Sequence, residues 1–330
     1  MIQSPVSTVS SGFASHALQL LQRVQHGTSP VELIYTAHER WPFRPGQTIH
    51  TRPTLRISVL DSSFNPPTLA HLALANSLSP LSFHPVTRQP ASSLQVSAEP
   101  YDARMLLLSV RNADKLLKPG DASFVQRLEM MYLLSHDIRS TDPDNAESGG
   151  ESSQISGNIA VAIIDEPTFV RKSTVLPRFL RTKLAAIVES TDSRKDISNK
   201  RDTSCLSPFL MLTFLLGFDT FVRLFSPKYY PSKQAMMQML QAFVSREDCR
   251  IVCAHRGNAS TDAVFGVADQ FITSKRIAFI DIGAEEQTYS SSEVRAKIAT
   301  GDWTWRRLVT NAIADYIIKQ GIYSSPEREQ

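Results

Sequence analysis

The stretch Arg56-Ile57-Ser58-Val59-Leu60-Asp61-Ser62-Ser63-Phe64-Asn65-Pro66-Pro67-Thr68-Leu69-Ala70-His71-Leu72 reads as a strand, a tight turn and a helix. Ile57, Val59 and Leu60 supply a short β-rich apolar run. Two serines, Asn65 and the Pro66-Pro67 pair break it. Proline is tolerated in a first helical turn, where its missing N–H would have no partner. The helix is expected from Leu69 to Leu78, in good helix formers. Thr68 and His71 then share one face at its start, three residues apart. Free N–H groups and the positive end of the dipole suit a phosphate there. A helix histidine without chemistry accounts for His71 taken alone.

The chain has 330 residues, 42% hydrophobic and 20% charged. That is enough to bury a sizeable core, as one large α/β domain with insertions or as two domains. A net charge of +3 with scattered basic residues gives no argument for nucleic acid or membrane. The cysteines are Cys205, Cys249 and Cys253, an odd, low count that fits a reducing compartment. Cys249 and Cys253 flank Arg250-Ile251-Val252 on one face of an expected strand, so they read as buried strand thiols. Metal-ligand spacing is not evident. No run of 18 apolar residues and no secretory leader are visible, and a cytoplasmic location with nuclear access by diffusion is expected. Although the first 31 residues lack Asp and Glu, Arg23 is their single basic residue, so a transit peptide is not favoured.

Residues 1–54 are expected to form an N-terminal extension with one helix, Phe13 to Gln25, whose apolar face is Leu18, Leu21 and Val24, with Leu20 beside it. Residues 55–325 form the main domain, and 326–330 a tail. Apolar runs predict strands at Met105–Val110, Ile159–Asp165, Phe209–Leu216, Arg250–Ala254 and Ile277–Ile282. Helices are expected at Phe124–Ser135, Thr174–Glu189 and Trp303–Lys319. The polar stretches 140–157 and 190–204 read as flexible surface insertions. Short apolar strands alternating with helices imply a doubly wound, Rossmann-like parallel sheet covered on both faces. Its ligand would sit beyond the carboxyl ends of the strands, where strand order reverses.

A second motif is Tyr289-Ser290-Ser291-Ser292-Glu293-Val294-Arg295. Ser290 and Glu293 form a capping box, and Gly301 suits the helix stop. A well-capped helix is the simple reading. Serine hydroxyls, free N–H groups and the Arg295 fork would also make a phosphate cradle.

Together these strings resemble the nucleotidyltransferase superfamily, and within it the nicotinamide mononucleotide adenylyltransferases. Ser63-Phe64-Asn65-Pro66-Pro67-Thr68 through His71 is similar to the signature G-x-F-x-P-x-[HT]-x-x-H. The late helix is similar to I-S-S-T-x-[IV]-R. Between them, Gly217-Phe218-Asp219 resembles G-x-D, Pro227-Lys228-Tyr229 resembles P-x-W, and His255-Arg256-Gly257 resembles R-x-G. Asp165-Glu166 sits where the family carries V-D-x-W-E, and Ala314 to Tyr323 resembles the closing helix. Two positions depart from the pattern. Ser62 stands where the family has glycine, and no tryptophan follows Asp165, Phe169 being the nearest ring.

The resemblance implies the nucleotidyltransferase fold and adenylyl transfer from Mg²⁺-bound ATP to nicotinamide mononucleotide, giving NAD and pyrophosphate. It assigns His71, Thr68 and Arg295 to catalysis. ATP would meet Ser62, Ser63, Phe64, His71, Lys115, Lys118, Gly217, Asp219, Ser290, Ser291, Ser292 and Arg295. The mononucleotide would meet Asp165, Glu166, Phe169 and Arg256, and Arg127 resembles a family arginine. A divergent ATP-binding or ATP-hydrolysing regulatory protein is the alternative, and a non-enzymatic interaction module leaves both phosphate motifs unexplained. Oligomeric state is not legible.

Overall fold

The computed structural model describes residues 9–44, 54–80, 98–111, 120–139, 157–192, 208–244, 248–254 and 276–324. Its centre is a seven-stranded sheet in the order β1-β6-β5-β2-β7-β8-β9. The strands are β1 (Val31–Thr36), β2 (Thr54–Asp61), β5 (Ala103–Ser109), β6 (Ile159–Ile164), β7 (Phe209–Gly217), β8 (Cys249–Ala254) and β9 (Ile277–Ile280). Two-residue strands β3 (Ser79–Pro80) and β4 (Ala98–Glu99) pair separately. Every pairing from β6 to β9 is parallel, and β1 runs antiparallel to β6 at the edge.

The apolar strands follow from burial on both faces. Leu60, Leu106, Val161 and Leu215 pack into one core with α1 (Ser11–Gln25), α3 (Phe124–Asp137) and the C-terminal helix. Ile57, Val59, Met105 and Phe214 pack into a second core with α4 (Phe169–Asp192), α5 (Phe218–Leu224) and α6 (Lys233–Val244). Alternating side chains of one strand thereby feed two layers. Among the described residues, no helix is long and apolar enough to cross a membrane. Cys249 and Cys253 are fully buried on β8, and burial pushes the Cys253 thiol up.

The fold departs from the sequence expectation in several places. The N-terminal stretch contributes a strand as well as a helix: β1 extends the main sheet, and Trp41 and Phe43 lie in its second core. On α1 the buried face is Ala17, Leu20, Leu21 and Val24, whereas Leu18 is 45% exposed. Finally, Trp303–Lys319 is not one helix. A 3-10 turn over Trp303–Leu308 is capped by Asp302, and α8 (Asn311–Gln320) restarts after Thr310. The Asp302 side chain accepts from the Thr304 N–H at 2.9 Å, which favours a tight local turn over a continuous helix. The insertion expected at 140–157 falls outside the described residues except for Gly157; that at 190–204 does so beyond the end of α4.

Strand order reverses at β2. The chain steps from β2 outward to β5 and β6, then crosses back to β7, β8 and β9 on the other side. The crevice above the carboxyl ends of β2 and β7 is thus the switch point at which such sheets hold ligands.

Candidate active site

Both sequence motifs meet at that point. Leu60 near the end of β2 pairs with Leu215 of β7, and Ser62 and Gly217 each follow two residues later. The turn then runs through Phe64, whose φ of 45° is left-handed, a region non-glycine residues enter at a cost. Its ring is fully buried and lies 5.4 Å from the His71 ring, so packing repays the backbone. Helix α2 spans only Leu69–Ala75, shorter than the sequence suggested, because Asn76 ends it and its side chain accepts from the Arg139 N–H at 2.9 Å.

The imidazole of His71 is held at both nitrogens. The Thr68 N–H donates to Nδ1 at 3.0 Å, and Nε2 lies 2.9 Å from the Ser62 hydroxyl oxygen. Thr68 Oγ1 is also 2.9 Å from Nδ1. A backbone N–H can only donate, so Nδ1 carries a lone pair and the neutral ring has its proton on Nε2. Desolvation lowers the His71 pKa to about 4, which keeps the ring neutral at pH 7.

That shift makes a pH prediction. The folded state resists protonating His71, whereas the unfolded chain takes up the proton near pH 6.5. The contribution is therefore fully present above about 6.5 and is lost as pH falls toward about 4. His71 is half-buried by exposure, so a discounted loss on the order of 2 kcal/mol is expected. Denaturant titrations of the unsubstituted chain and His71→Gln at pH 7 and pH 4.5 check it. An equal acid loss in both would show that His71 is not the group responsible.

The late motif docks on the same turn. Helix α7 (Ser291–Ala299) is capped by Ser290, whose hydroxyl accepts from the Glu293 N–H at 3.1 Å. Ser291 donates its hydroxyl to the Pro66 carbonyl at 2.7 Å. Arg295 donates Nη1 to the Asn65 carbonyl and Nη2 to Ser292 Oγ at 3.4 Å. Its Nε stands 3.7 Å from Asp121, which also lies 3.9 Å from Arg127. Among the described residues, two guanidinium groups thus share this carboxylate, which leaves one positive charge more than the three groups balance. Arg127 further donates to the Ala122 carbonyl at 2.9 Å and to the Ser63 carbonyl at 3.5 Å.

Asn65 is the hub of this network. Its amide donates to Asp121 at 2.8 Å, and its side-chain oxygen accepts from the Tyr323 hydroxyl at 2.8 Å and from the Ala122 N–H at 3.3 Å. The sequence motifs contain Asn65 and Tyr323 but give them no role, and no sequence motif includes Asp121. The sequence signal for their neighbourhood was the Ser123/Gln126 capping box that starts α3.

Gly217 caps α5, and among the described residues a Cβ there would meet nothing within 4 Å. The protein itself does not require glycine at this spot, which leaves room for a ligand. Asp219 is exposed in the first turn that follows.

The residues assigned to the mononucleotide stand at the end of β6. Asp165 makes a two-pronged pair with Arg111, and the buried Glu166 pairs with Arg171 at 2.8 Å. Phe169 packs edge-on against Phe214 at 4.9 Å and Phe243 at 5.1 Å and is half-buried against the second core. One pair went unread in the sequence: Lys172 donates to both oxygens of Asp61, at 2.9 and 2.7 Å, with both groups buried. It ties the first turn of α4 to the end of β2. Nothing local in the sequence signals two partners 111 positions apart. Lys115, Lys118 and Arg256 lie outside the described residues.

No family model matches the sequence. A protein of Schizosaccharomyces pombe (strain 972 / ATCC 24843) named "Putative nicotinamide mononucleotide adenylyltransferase" is 32% identical over 200 residues. The match covers 61% of this chain and 53% of that protein, so this chain spans about half the length of the relative it matches. Over that stretch the chain is similar to this S. pombe protein. The chain's seven-stranded, largely parallel sheet with helices on both faces is the Rossmann-like arrangement of the nucleotidyltransferase fold.

Proposed function

We propose that this chain transfers the adenylyl group of ATP to nicotinamide mononucleotide, giving NAD and pyrophosphate. The observation that carries the reading is the docking of the Ser291–Arg295 helix onto the Asn65–Pro66 turn at the switch point of the sheet. The S. pombe relative supports it by name.

In this reading the triphosphate lies across the turn. Arg295 and the first N–H groups of α7 take its far end, where the excess positive charge stands. The His71 side supplies a neutral donor for the oxygens of the α-phosphate, where charge builds up as the 5′-phosphate of the mononucleotide attacks in line. Positioning and charge stabilisation suffice for such a transfer, and no covalent nucleophile is needed. Among the described residues no group of three His, Cys, Asp or Glu side chains converges to hold a metal. In this reading magnesium enters as part of the substrate, carried on the phosphate oxygens and screening their charge.

A second reading has its own support. The His71 donor is already occupied by Ser62, and Phe169, the one ring among the residues assigned to the acceptor half, is half-buried and engaged edge-on by Phe214 and Phe243. A protein that binds or hydrolyses ATP without joining a mononucleotide would fit these features. Incubation with Mg-ATP and nicotinamide mononucleotide separates the two. NAD with equimolar pyrophosphate is the expected outcome. ADP and phosphate, or ATP binding without turnover, would replace the first reading by the second.

A further inference from the structure

We propose that Ser62 is a positioning residue that extends the His71 donor outward by one hydrogen bond, so that the serine O–H meets the nucleotide phosphate. The inference rests on the reading of this turn as a phosphate site.

The direction of the bonds is fixed by elimination. Nδ1 of His71 faces the Thr68 N–H, which can only donate, so the ring proton is on Nε2. Nε2 stands 2.9 Å from Ser62 Oγ, and that oxygen must be the acceptor. A hydroxyl that accepts one bond still has one O–H to give. Among the described residues no acceptor for that O–H is recorded, and Ser62 is only half-buried. It stands just past the end of β2, two residues beyond Leu60, which pairs with Leu215 of β7.

The chain of donors is stiff. Thr68 is fully buried and pins Nδ1 by donating its N–H and its hydroxyl O–H, while Phe64 flanks the ring at 5.4 Å. Donors linked in series polarise one another, so an O–H that accepts from Nε2–H is a stronger donor to an anion. A phosphate oxygen bound this way stands about 2.7 Å beyond Oγ. It is therefore held one bond length farther from the imidazole than direct contact would place it.

The test uses the full chain and Mg-ATP, with calorimetric affinity and turnover as readouts for Ser62→Ala, Ser62→Gly and Ser62→Thr. Ser62→Ala keeps the Cβ and removes the link, and a loss of about tenfold or more in ATP affinity or turnover is expected. Ser62→Thr keeps a hydroxyl and should retain most of both. Ser62→Gly clears the way for phosphate to reach Nε2–H directly and should recover part of what alanine loses. Ring ¹⁵N spectra of His71 supply a measure that a merely structural role would not move. ATP should shift Nε2 strongly in Ser62→Gly and weakly in the unsubstituted chain. Alanine and glycine variants that bind ATP as well as or better than serine would overturn the relay alone and make the hydroxyl a competitor for the donor. Absence of ATP binding by the unsubstituted chain would overturn the phosphate site itself, and the relay with it.

Discussion

His71→Ala is expected to cut NAD formation by about 10²- to 10³-fold, the range for loss of one preorganised donor to developing charge. Alanine also removes the acceptor of the Thr68 N–H, so lost activity alone could reflect a loosened turn. His71→Gln resolves this. Thr68-x-x-Gln is an ordinary capping box, in which the glutamine oxygen accepts from the Thr68 N–H. That variant should keep the thermal midpoint within a few degrees while losing most of the rate, its amide being a weaker and less rigid donor. Steady-state rates beside thermal melts for both variants check the claim. Near-normal product from His71→Ala would remove His71 from the chemistry. A rate loss in His71→Ala restored fully by His71→Gln would reassign the histidine to capping.

Most of the sheet was legible because its strands are apolar on both faces. A run such as Ile159–Ile164, fully buried, has no other stable place in an α/β chain. The two turn-and-helix motifs were legible for a different reason: a turn that must open a helix and present donors needs particular small and polar residues in a fixed order. Edge strand β1 was missed because Val31-Glu32-Leu33-Ile34-Tyr35-Thr36 is half-exposed and bulged, so neither strict alternation nor a continuous apolar run marks it. The apolar face of α1 was misassigned at Leu18 because one helical stripe admits two readings a residue or two apart. The Asp61–Lys172 pair, the shared Asp121 carboxylate and the Tyr323 contact join residues far apart in the chain. Their pairing is fixed by topology, and no local pattern encodes it.

The Asn65 hub carries the largest expected effect on stability. Asn65→Ala would strip a donor from Asp121 and an acceptor from both the Tyr323 hydroxyl and the Ala122 N–H, in a region where Asn65 is only 5% exposed. Each buried polar group left without a partner costs about 1–3 kcal/mol. The sum, with some relief from entering water, is expected near 3–5 kcal/mol, or about 6–15 °C in thermal midpoint for a chain of this size. Asn65→Asp should do no better. It retains oxygens for Tyr323 and Ala122 but places a second carboxylate 2.8 Å from Asp121, where like charges oppose each other. Tyr323→Phe leaves Asn65 one acceptor site short of a partner and should cost only about 1 kcal/mol. The order Asn65→Ala and Asn65→Asp far below Tyr323→Phe, read from denaturant midpoints, would establish the amide as the joint between the turn, α3 and the C-terminal segment. Comparable losses in all three would place the joint at Tyr323 instead. Because Arg295 is held by the carbonyl of this same residue, the alanine variant should also lose ATP affinity at temperatures where it remains folded.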